Sequence, residues 1–256
     1  MAVEHGYGKI VTDGLVLCLD AADNNSYPGS GNTWYDLSGY GISGTLQNGA
    51  SFDSGDLGNI TFDGVDDYVQ LSNFNNIKNL TQGTVSVTFK WSAGESVKLL
   101  YIGNPSYSSL ASGFYMWCGN TTSAATDEGL RVLFRDTSNN TLFDLLERHN
   151  SNTYYYRNSK FNIFTVVQNG TYPNFYLNDQ NLTNSLEHWS NSTPTNYGAF
   201  FNDISITDFV IGADYANQSI RTNREQSITN IRIYNRALTA QEIQQNYNAT
   251  KTRFGL

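Results

Sequence analysis

SITNIRIYNRALTAQEIQQNYNA, residues 227–249, joins a β-strand pattern to a helix-start pattern. Its first third carries three isoleucines and a tyrosine, the β-branched and aromatic residues that favour strands. Thr239 and Glu242 then have the spacing of a capping box, in which each side chain bonds the other residue's backbone amide. Leu238 and Ile243 have the spacing of a hydrophobic staple. The segment predicts a strand, a turn and a short helix.

The helix predicted after Thr239 has one narrow apolar face. Ile243 and Tyr247 are four residues apart and therefore lie on the same side of a helix. A helix this short is marginal alone and needs a surface to lie on. We expect it to dock across the last strand through Ile243 and Tyr247, with residues 251–256 following as a tail.

The rest of the chain predicts an all-β sandwich. Short apolar runs separated by turn residues recur about every 8–12 residues, the pattern of a sandwich or barrel. Residues 84–91, TVSVTFKW, alternate apolar and polar side chains and predict a half-buried strand. Residues 131–146 and 163–177 each predict a hairpin. We expect a polar leader at residues 1–13 and a single domain at residues 14–256.

Composition and charge exclude several classes of function. The chain has 256 residues, of which 39% are hydrophobic, so it can bury a core. The net charge of −8 and the lack of a basic run argue against nucleic acid as a partner. No apolar run approaches the ~20 residues of a membrane span. The N-terminus lacks the features of a secretion signal, and no membrane insertion is expected.

Five motifs taken together resemble a known family. They are GLVLCLDAAD (14–23), WYDLSGYG (34–41), ITFDGVDDYV (60–69), FTVVQNG (164–170) and the segment 227–249. Their order and spacing resemble the laminin-G-like branch of the concanavalin A-like lectin/glucanase superfamily, over about residues 14–249. The DLSGYG segment, combined with the C-terminal NYNATKTRFGL, is similar to tailed-phage virion proteins.

The resemblance implies a fold and a role. The fold would be a jelly-roll β-sandwich of two antiparallel sheets with a short C-terminal helix and adjacent first and last strands. The role would be that of a non-enzymatic virion protein, a capsid decoration or fibre protein made in the host cytoplasm. Its partners would be other virion proteins and host cell-surface glycans. The resemblance leaves open whether the chain forms a homo-oligomer. The alternative is a free, calcium-dependent carbohydrate-binding module.

The residues that catalysis would need are missing from the sequence. The glucanases of the superfamily would carry an E-x-D-x-E alternation of acids on one strand, and this chain has none. There is no GxSxG nucleophile motif beside the three histidines. His188, within Glu187-His188-Trp189, is interpreted as a surface histidine. We expect no enzyme, and a glycoside hydrolase is the weakest of the three functions.

Two sets of aspartates offer oxygen ligands to calcium. Asp20, Asp23 and Asp36 can gather at one end of the sandwich, where loops cluster, and their hard oxygen ligands suit Ca²⁺, which laminin-G-like domains can hold. The competing interpretation is that these residues cap turns. Asp63, Asp66 and Asp67 in FDGVDDYV are interpreted as turn residues.

Aromatic residues outside the predicted strands are the candidates for ligand binding. Trp189 and Tyr197 lie in the long polar segment 178–208, and Tyr107 lies in another unpatterned stretch. Flat apolar rings can stack on the CH face of a sugar, but they also dominate protein–protein contacts. Trp117 alternates within a strand and is expected to be in the core.

Cys18 and Cys118 are the two cysteines of the chain. Both lie in apolar runs, so we expect two buried thiols. A disulfide between them cannot be judged from the spacing.

Overall fold

The computed structural model describes most of the chain. The described residues are 4–5, 8–55, 58–91, 96–106, 112–120, 128–138, 140–148, 160–188, 194–216, 218–222 and 224–256. None of the helices in this part of the chain has both the length and the apolar character needed to cross a bilayer.

Strands make up about half of the described residues, and the one α-helix among them lies at the C-terminus. In chain order the elements are β1 (Glu4–His5), β2 (Gly8–Lys9), β3 (Leu15–Asp20), β4 (Thr33–Tyr35), β5 (Ser43–Gln47), β6 (Ser51–Asp53), β7 (Asn59–Phe62), β8 (Tyr68–Ser72), β9 (Gly83–Trp91), β10 (Val97–Asn104), β11 (Ser112–Asn120), β12 (Glu128–Arg135), β13 (Thr141–Arg148), β14 (Phe161–Gln168), β15 (Asn174–Leu177), β16 (Gln180–Asn181), β17 (Leu186–His188), β18 (Asp208–Ile211), β19 (Asp214–Ala216), β20 (Ser219–Arg221), β21 (Gln226–Tyr234) and α1 (Ala240–Phe254). Single turns of 3-10 helix occur at Phe74–Asn76, Thr183–Ser185 and Phe201–Asp203.

Two large antiparallel sheets contain most of the described strands, and β1-β2 and β19-β20 form two small ones. One has nine strands in the order β17-β13-β12-β11-β10-β18-β8-β5-β4. The other has eight, in the order β16-β15-β14-β9-β21-β7-β6, with β3 also paired to β21. The predicted hairpins are present as β12–β13 and β14–β15. The all-β sandwich of two antiparallel sheets is therefore confirmed.

Strand β21 is the centre of the eight-stranded sheet. One side of it pairs with β9 along its whole length. On the other side, its first residues pair with β7 and its later residues pair with β3, where Ile231 faces Leu19. The last strand therefore lies beside the first long strand, as the resemblance implied.

The core between the sheets is built from the alternating apolar side chains of both. The same buried cluster contains Val87 and Phe89 of β9, Ile231 of β21 and aromatic residues such as Phe114 of β11. All four side chains are fully or almost fully buried. A second, smaller apolar cluster lies beneath α1, and a third lies on the opposite face of the nine-stranded sheet.

The helix begins as predicted. Thr239 Oγ1 accepts from the backbone amide of Glu242 at 3.3 Å, and Glu242 Oε2 accepts from the amide of Thr239 at 2.9 Å. Leu238 and Ile243 are both buried in the cluster beneath the helix, as the staple requires. The local helix-start signals are therefore confirmed in detail.

The helix is longer than the sequence suggested. It continues to Phe254, whose ring packs against Phe161 with centroids 5.3 Å apart, so residues 251–254 are not a tail. Gly255 adopts φ +66° and ends the helix, as C-terminal glycines commonly do. Tyr247 is half-buried, and the docking face instead continues from Ile243 through Asn246 to Phe254.

The prediction that β9 is half-buried was wrong. Val85 and Val87 point into the core, but Thr84, Ser86 and Thr88 on the other face are buried too. Thr84 Oγ1 accepts from the amide of Leu238 at 2.9 Å, because the connection to α1 crosses this face. The predicted alternation of apolar and polar side chains in β9 is present. The pattern alone did not show that the connection to α1 covers the polar face.

Residues 8–13, assigned to the leader, pack against the helix. Ile10 and Val11 are buried in the same cluster as Ile243. The amide of Val11 donates to Asn246 Oδ1 at 2.8 Å, and the hydroxyl of Tyr234 donates to the carbonyl of Val11 at 3.1 Å. This segment therefore contributes to the covering of the eight-stranded sheet.

Both cysteines are buried as thiols, as expected. Burial raises the pKa of the Cys18 thiol to about 12, although the nearby Arg232 guanidinium opposes the shift. A thiol with this pKa is unreactive at neutral pH. Cys18 is therefore a small apolar residue beneath the helix.

Candidate functional site

The strongest candidate for a ligand surface is a cluster of three rings, Tyr172, Tyr197 and His188, here named the tyrosine–histidine surface. The rings of Tyr172 and Tyr197 lie 4.9 Å apart between centroids, with 40° between their planes. The Tyr197 hydroxyl lies 2.7 Å from Nε2 of His188, in a hydrogen bond whose donor depends on the imidazole tautomer. His188 is exposed and both tyrosines are half-buried. The cluster thus presents ring surface and polar tips to solvent.

Both sheets hold the segment that carries Tyr197. Gln168, at the end of β14, donates from Nε2 to the carbonyl of Tyr197 at 2.7 Å and to that of Ala199 at 3.2 Å. The amide of Asn196 donates to the carbonyl of Leu142 in β13 at 3.1 Å. The tyrosine therefore stands at an edge where the two sheets come together.

The other two rings come from neighbouring elements. Tyr172 lies in the turn between β14 and β15, and His188 ends β17, which pairs with the edge of β13. Burial, together with the neighbouring Tyr197, raises the pKa of Tyr172. A tyrosine phenol is neutral at neutral pH, so the Tyr172 hydroxyl can donate a hydrogen bond.

The predicted aromatic sites have different outcomes. Tyr197 is in the tyrosine–histidine surface, whereas Trp189 and Tyr107 lie outside the described residues. Tyr172 was missed by the sequence analysis. Its only local signal is its place in NGTYPN, a hairpin turn (169–174) next to the predicted strand at residues 163–168.

Trp117 is buried, but on the face of the nine-stranded sheet opposite the core. Its ring packs beside Tyr115, and its Nε1 donates to Asp214 Oδ2 at 2.8 Å. The guanidinium of Arg131 lies 4.6 Å from the ring centroid. The side chain is fully committed to protein contacts and cannot stack on a ligand.

Asp20, the first of the predicted calcium ligands, is engaged by a cation of the protein itself. Its carboxylate accepts from Arg253 at 2.6 and 2.9 Å and from the amide of Ala22 at 3.1 Å. The side chain has no exposed surface. Asp20 therefore acts as the partner of the helix C-terminus in this structure.

Asp23 and Asp36 are engaged in turns. Asp23 Oδ1 accepts from the backbone and side-chain nitrogens of Asn25 at 2.8 and 2.9 Å. Asp36 accepts from the amides of Cys18 and Ser38 at 2.8 and 2.9 Å. These bonds are the turn-capping roles that competed with calcium in the sequence analysis. Calcium binding by Asp20, Asp23 and Asp36 stays a prediction.

Comparison with known proteins supports the fold alone. No protein-family model matches the sequence, and no curated protein matches it. Solved structures with a similar fold are receptor-binding and ligand-binding domains of botulinum neurotoxins.

Three of these structures illustrate the similarity. The receptor-binding domain of the mosaic serotype C/D shares 15% identity with a TM-score of 0.64, covering 93% of this chain and 51% of its own. The serotype D ligand-binding domain in complex with N-acetylneuraminic acid shares 14% identity with a TM-score of 0.64, covering 93% and 51%. The type G receptor-binding domain shares 13% identity with a TM-score of 0.62, covering 92% and 51%.

This similarity establishes a shared fold, a β-sandwich of two antiparallel sheets. The chain spans about half the length of the neurotoxin domains that it matches. The laminin-G-like and phage resemblances stay predictions.

Proposed function

We propose that the protein is a non-enzymatic recognition domain that binds cell-surface glycans through the tyrosine–histidine surface. The observation that carries the proposal is the contact of Tyr172, Tyr197 and His188 at the meeting edge of the two sheets. The lectin-like fold supports it, and so does the sugar complex of one structural neighbour.

The chemistry of the surface suits a sugar. The tyrosine rings offer apolar faces to the CH groups of a pyranose, and their hydroxyls can bond its OH groups. Asn169 and Asn196 belong to the same two segments and add amide groups at its border. Rings already packed against each other lose little side-chain entropy on binding, which favours recognition.

We extend the proposal to the setting of the protein. The phage-like C-terminal motif supports a virion component, a capsid decoration or fibre protein that contacts other virion proteins and is assembled in the host cytoplasm. In this setting a glycan-binding edge would hold the particle at the host surface. A homo-oligomer would raise the avidity of such a contact.

A glycan array with the purified protein tests the proposal. We expect selective binding to a small group of glycans. Tyr197→Ala and Tyr172→Ala should each weaken binding at least about tenfold, in keeping with the loss of a ring that stacks on the ligand. Circular dichroism would show that the variants are folded.

Tyr40→Ala is the matched control, since Tyr40 is 55% exposed and lies in a different loop. It should bind like the parent protein. Equal loss in the Tyr40 and Tyr197 variants, or no glycan binding at all, would contradict the proposed site.

The virion setting is tested separately, by mass spectrometry of purified particles. The peptides of this chain should be present in stoichiometric amounts. Their absence would leave the free carbohydrate-binding module as the better proposal, and binding that EDTA abolishes would support its calcium-dependent form.

A further inference from the structure

A small cavity lies between the eight-stranded sheet and α1. It has a volume of about 10 Å³, which is room for one water molecule or one monatomic ion. The sheet contributes Ser86, Thr165 and Arg232 to its lining, and the helix contributes Ile243 and Asn246 among others. The three residues of the tyrosine–histidine surface do not line it, so the cavity is a separate feature of the fold.

Arg232 is the unusual residue of this lining, because it is a buried cation. It is 1% exposed and lies in β21 between Ile231 and Ile233, which point into the core while Arg232 faces the helix. Two of its guanidinium nitrogens, Nε and Nη2, are buried and have no hydrogen-bond partner among the described residues. Arginine stays protonated in proteins, so it cannot avoid the cost of burial by losing its charge.

The protein does not supply a counter-ion to Arg232. In the described part of the chain, no carboxylate forms an ion pair with it. Asp20 is paired with Arg253, and Asp36 accepts from backbone amides. Cys18 faces Arg232 across the β3–β21 pair, but burial raises the pKa of its thiol to about 12, so it is neutral.

The other polar groups of the lining have hydrogen-bond donors to spare. Oδ1 of Asn246 already accepts from the amide of Val11, whereas Nδ2 uses one of its two hydrogens on the hydroxyl of Tyr234. The hydroxyl oxygens of Ser86 and Thr165 lie 2.9 Å apart. One hydroxyl hydrogen makes that bond, so the other is available to a ligand. A lining of N–H and O–H donors around a buried cation suits an anion.

We propose that Arg232 binds one chloride ion in this cavity, with the Ser86–Thr165 hydroxyl pair as a further donor. A monatomic halide fits the volume, accepts several hydrogen bonds and supplies the negative charge that balances the guanidinium. A phosphate or sulfate ion has five heavy atoms and does not fit a space for one small sphere. A water molecule would fit, but it would leave the buried charge of Arg232 without compensation.

The ion would join the helix to the sheet. Arg232 belongs to the central strand β21, and Asn246 belongs to α1. Because the cavity exists only in the folded chain, chloride should bind the folded state alone and stabilise it. The site does not depend on the proposed glycan binding.

Thermal unfolding of the full chain in sodium salts of equal ionic strength tests the site. The melting temperature should be at least about 3 °C higher in about 150 mM NaCl than in about 150 mM sodium gluconate. NaBr should replace NaCl, since bromide is the next larger halide. A melting temperature that is the same in chloride and gluconate would overturn the proposal.

Arg232→Met removes the cation and keeps an unbranched side chain. Its melting temperature should be equal in the two salts, and at least as high as that of the parent in gluconate, because a buried unpaired charge is gone. An arginine that stabilises the fold through protein contacts would give the opposite result. The variant would then be less stable than the parent in both salts and would keep the dependence on chloride.

Thr165→Val removes one hydroxyl and keeps the shape of the side chain, so it stays informative if Arg232→Met fails to fold. It should weaken the apparent affinity for chloride, measured from melting temperatures, at least about threefold. Thr88→Val is the matched control, because Thr88 is a buried threonine on the same face of the sheet and does not line the cavity. It should leave the affinity for chloride unchanged, and equal losses in the two threonine variants would contradict the site.

Crystals grown in NaBr identify the occupant of the cavity directly. We expect an anomalous peak within hydrogen-bonding reach of Nε or Nη2 of Arg232. A cavity without an anomalous peak, whether or not it holds a water molecule, would overturn the proposal.

Discussion

Arg253 and Asp20 form a two-point ion pair that ties the last turn of α1 to the end of β3. Nη2 of Arg253 lies 2.6 Å from Oδ1 of Asp20, and Nη1 lies 2.9 Å from Oδ2. Nη2 also donates to Thr229 Oγ1 at 3.1 Å. The helix is therefore stabilised at its start by the Thr239 cap and at its end by the ion pair of Arg253 with the buried carboxylate of Asp20.

Arg253→Gln should lower the free energy of unfolding by about 3 kcal/mol, because it leaves the Asp20 carboxylate buried without its cation. Urea denaturation at neutral pH measures the change. Lys251→Gln is the control, since it removes the same charge from the same helix turn without a buried partner. It should cost less than about 1 kcal/mol. Equal losses of unfolding free energy in the Arg253 and Lys251 variants would show that the pair with Asp20 does not cause the effect.

Ile243→Asp should destabilise the domain by about 2–5 kcal/mol, because a carboxylate would replace a side chain buried between Leu238 and the sheet. Thermal and urea unfolding measure this loss. Gln241→Asp is the control, since Gln241 is exposed and a negative charge in the first helical turn is favourable. An unchanged melting temperature for the Ile243 variant would contradict the docking of the helix.

Acid should destabilise the start of the helix, because it protonates the Glu242 carboxylate. The hydrogen bonds from Arg236 lower the pKa of Glu242 from its usual 4.5 to about 2. Because the pKa of Glu242 is lower in the folded state, its ionised carboxylate stabilises the fold. This stabilisation is complete above pH 4.5 and is lost as the pH falls towards 2. Since the pair is partly exposed, we expect about 1 kcal/mol.

Denaturation midpoints measured between neutral pH and pH 2.5 test this prediction. Glu242→Gln should be less stable than the parent at neutral pH, and the difference should shrink in acid. Arg236→Gln should flatten the profile in the same way, because it removes the main cause of the shift. Parallel profiles for the parent and the Glu242 variant would contradict the assignment.

Asp214→Asn should cost about 3 kcal/mol, as expected for a buried anion that balances buried cations. Asp214 has no exposed surface, accepts from Trp117 and Arg221, and lies 3.8 Å from Lys98 Nζ. Burial lowers the pKa of Lys98, and Asp214 opposes that shift. Guanidinium denaturation followed by tryptophan fluorescence measures the loss.

Arg221→Gln serves as the control for this network. The Arg221 side chain is 38% exposed, so its pair with Asp214 is screened and the loss should be about 1 kcal/mol. A larger effect for Arg221 than for Asp214 would contradict the central place given to the carboxylate.

The sequence predicted features whose causes lie within a few residues of one another. The Thr239 cap, the Leu238–Ile243 staple and the alternation in β9 each depend on neighbours in the chain, and each is present. The errors begin where a distant element intervenes. The helix runs past Ala249 because Phe254 finds Phe161, and the polar face of β9 is buried because the path to α1 crosses it.

By itself, then, the sequence determined most of the longer strands, the hairpin turns, the helix start and the all-β class, because short-range sterics and hydrogen bonds specify them. Tertiary structure alone decided that Arg253 meets Asp20, that Tyr172 and His188 join Tyr197, and that the guanidinium of Arg232 is buried beneath α1. These relations depend on sheet order and strand register, which bring together residues far apart in the chain. A local sequence pattern does not show which distant residues the sheet order and strand register bring together.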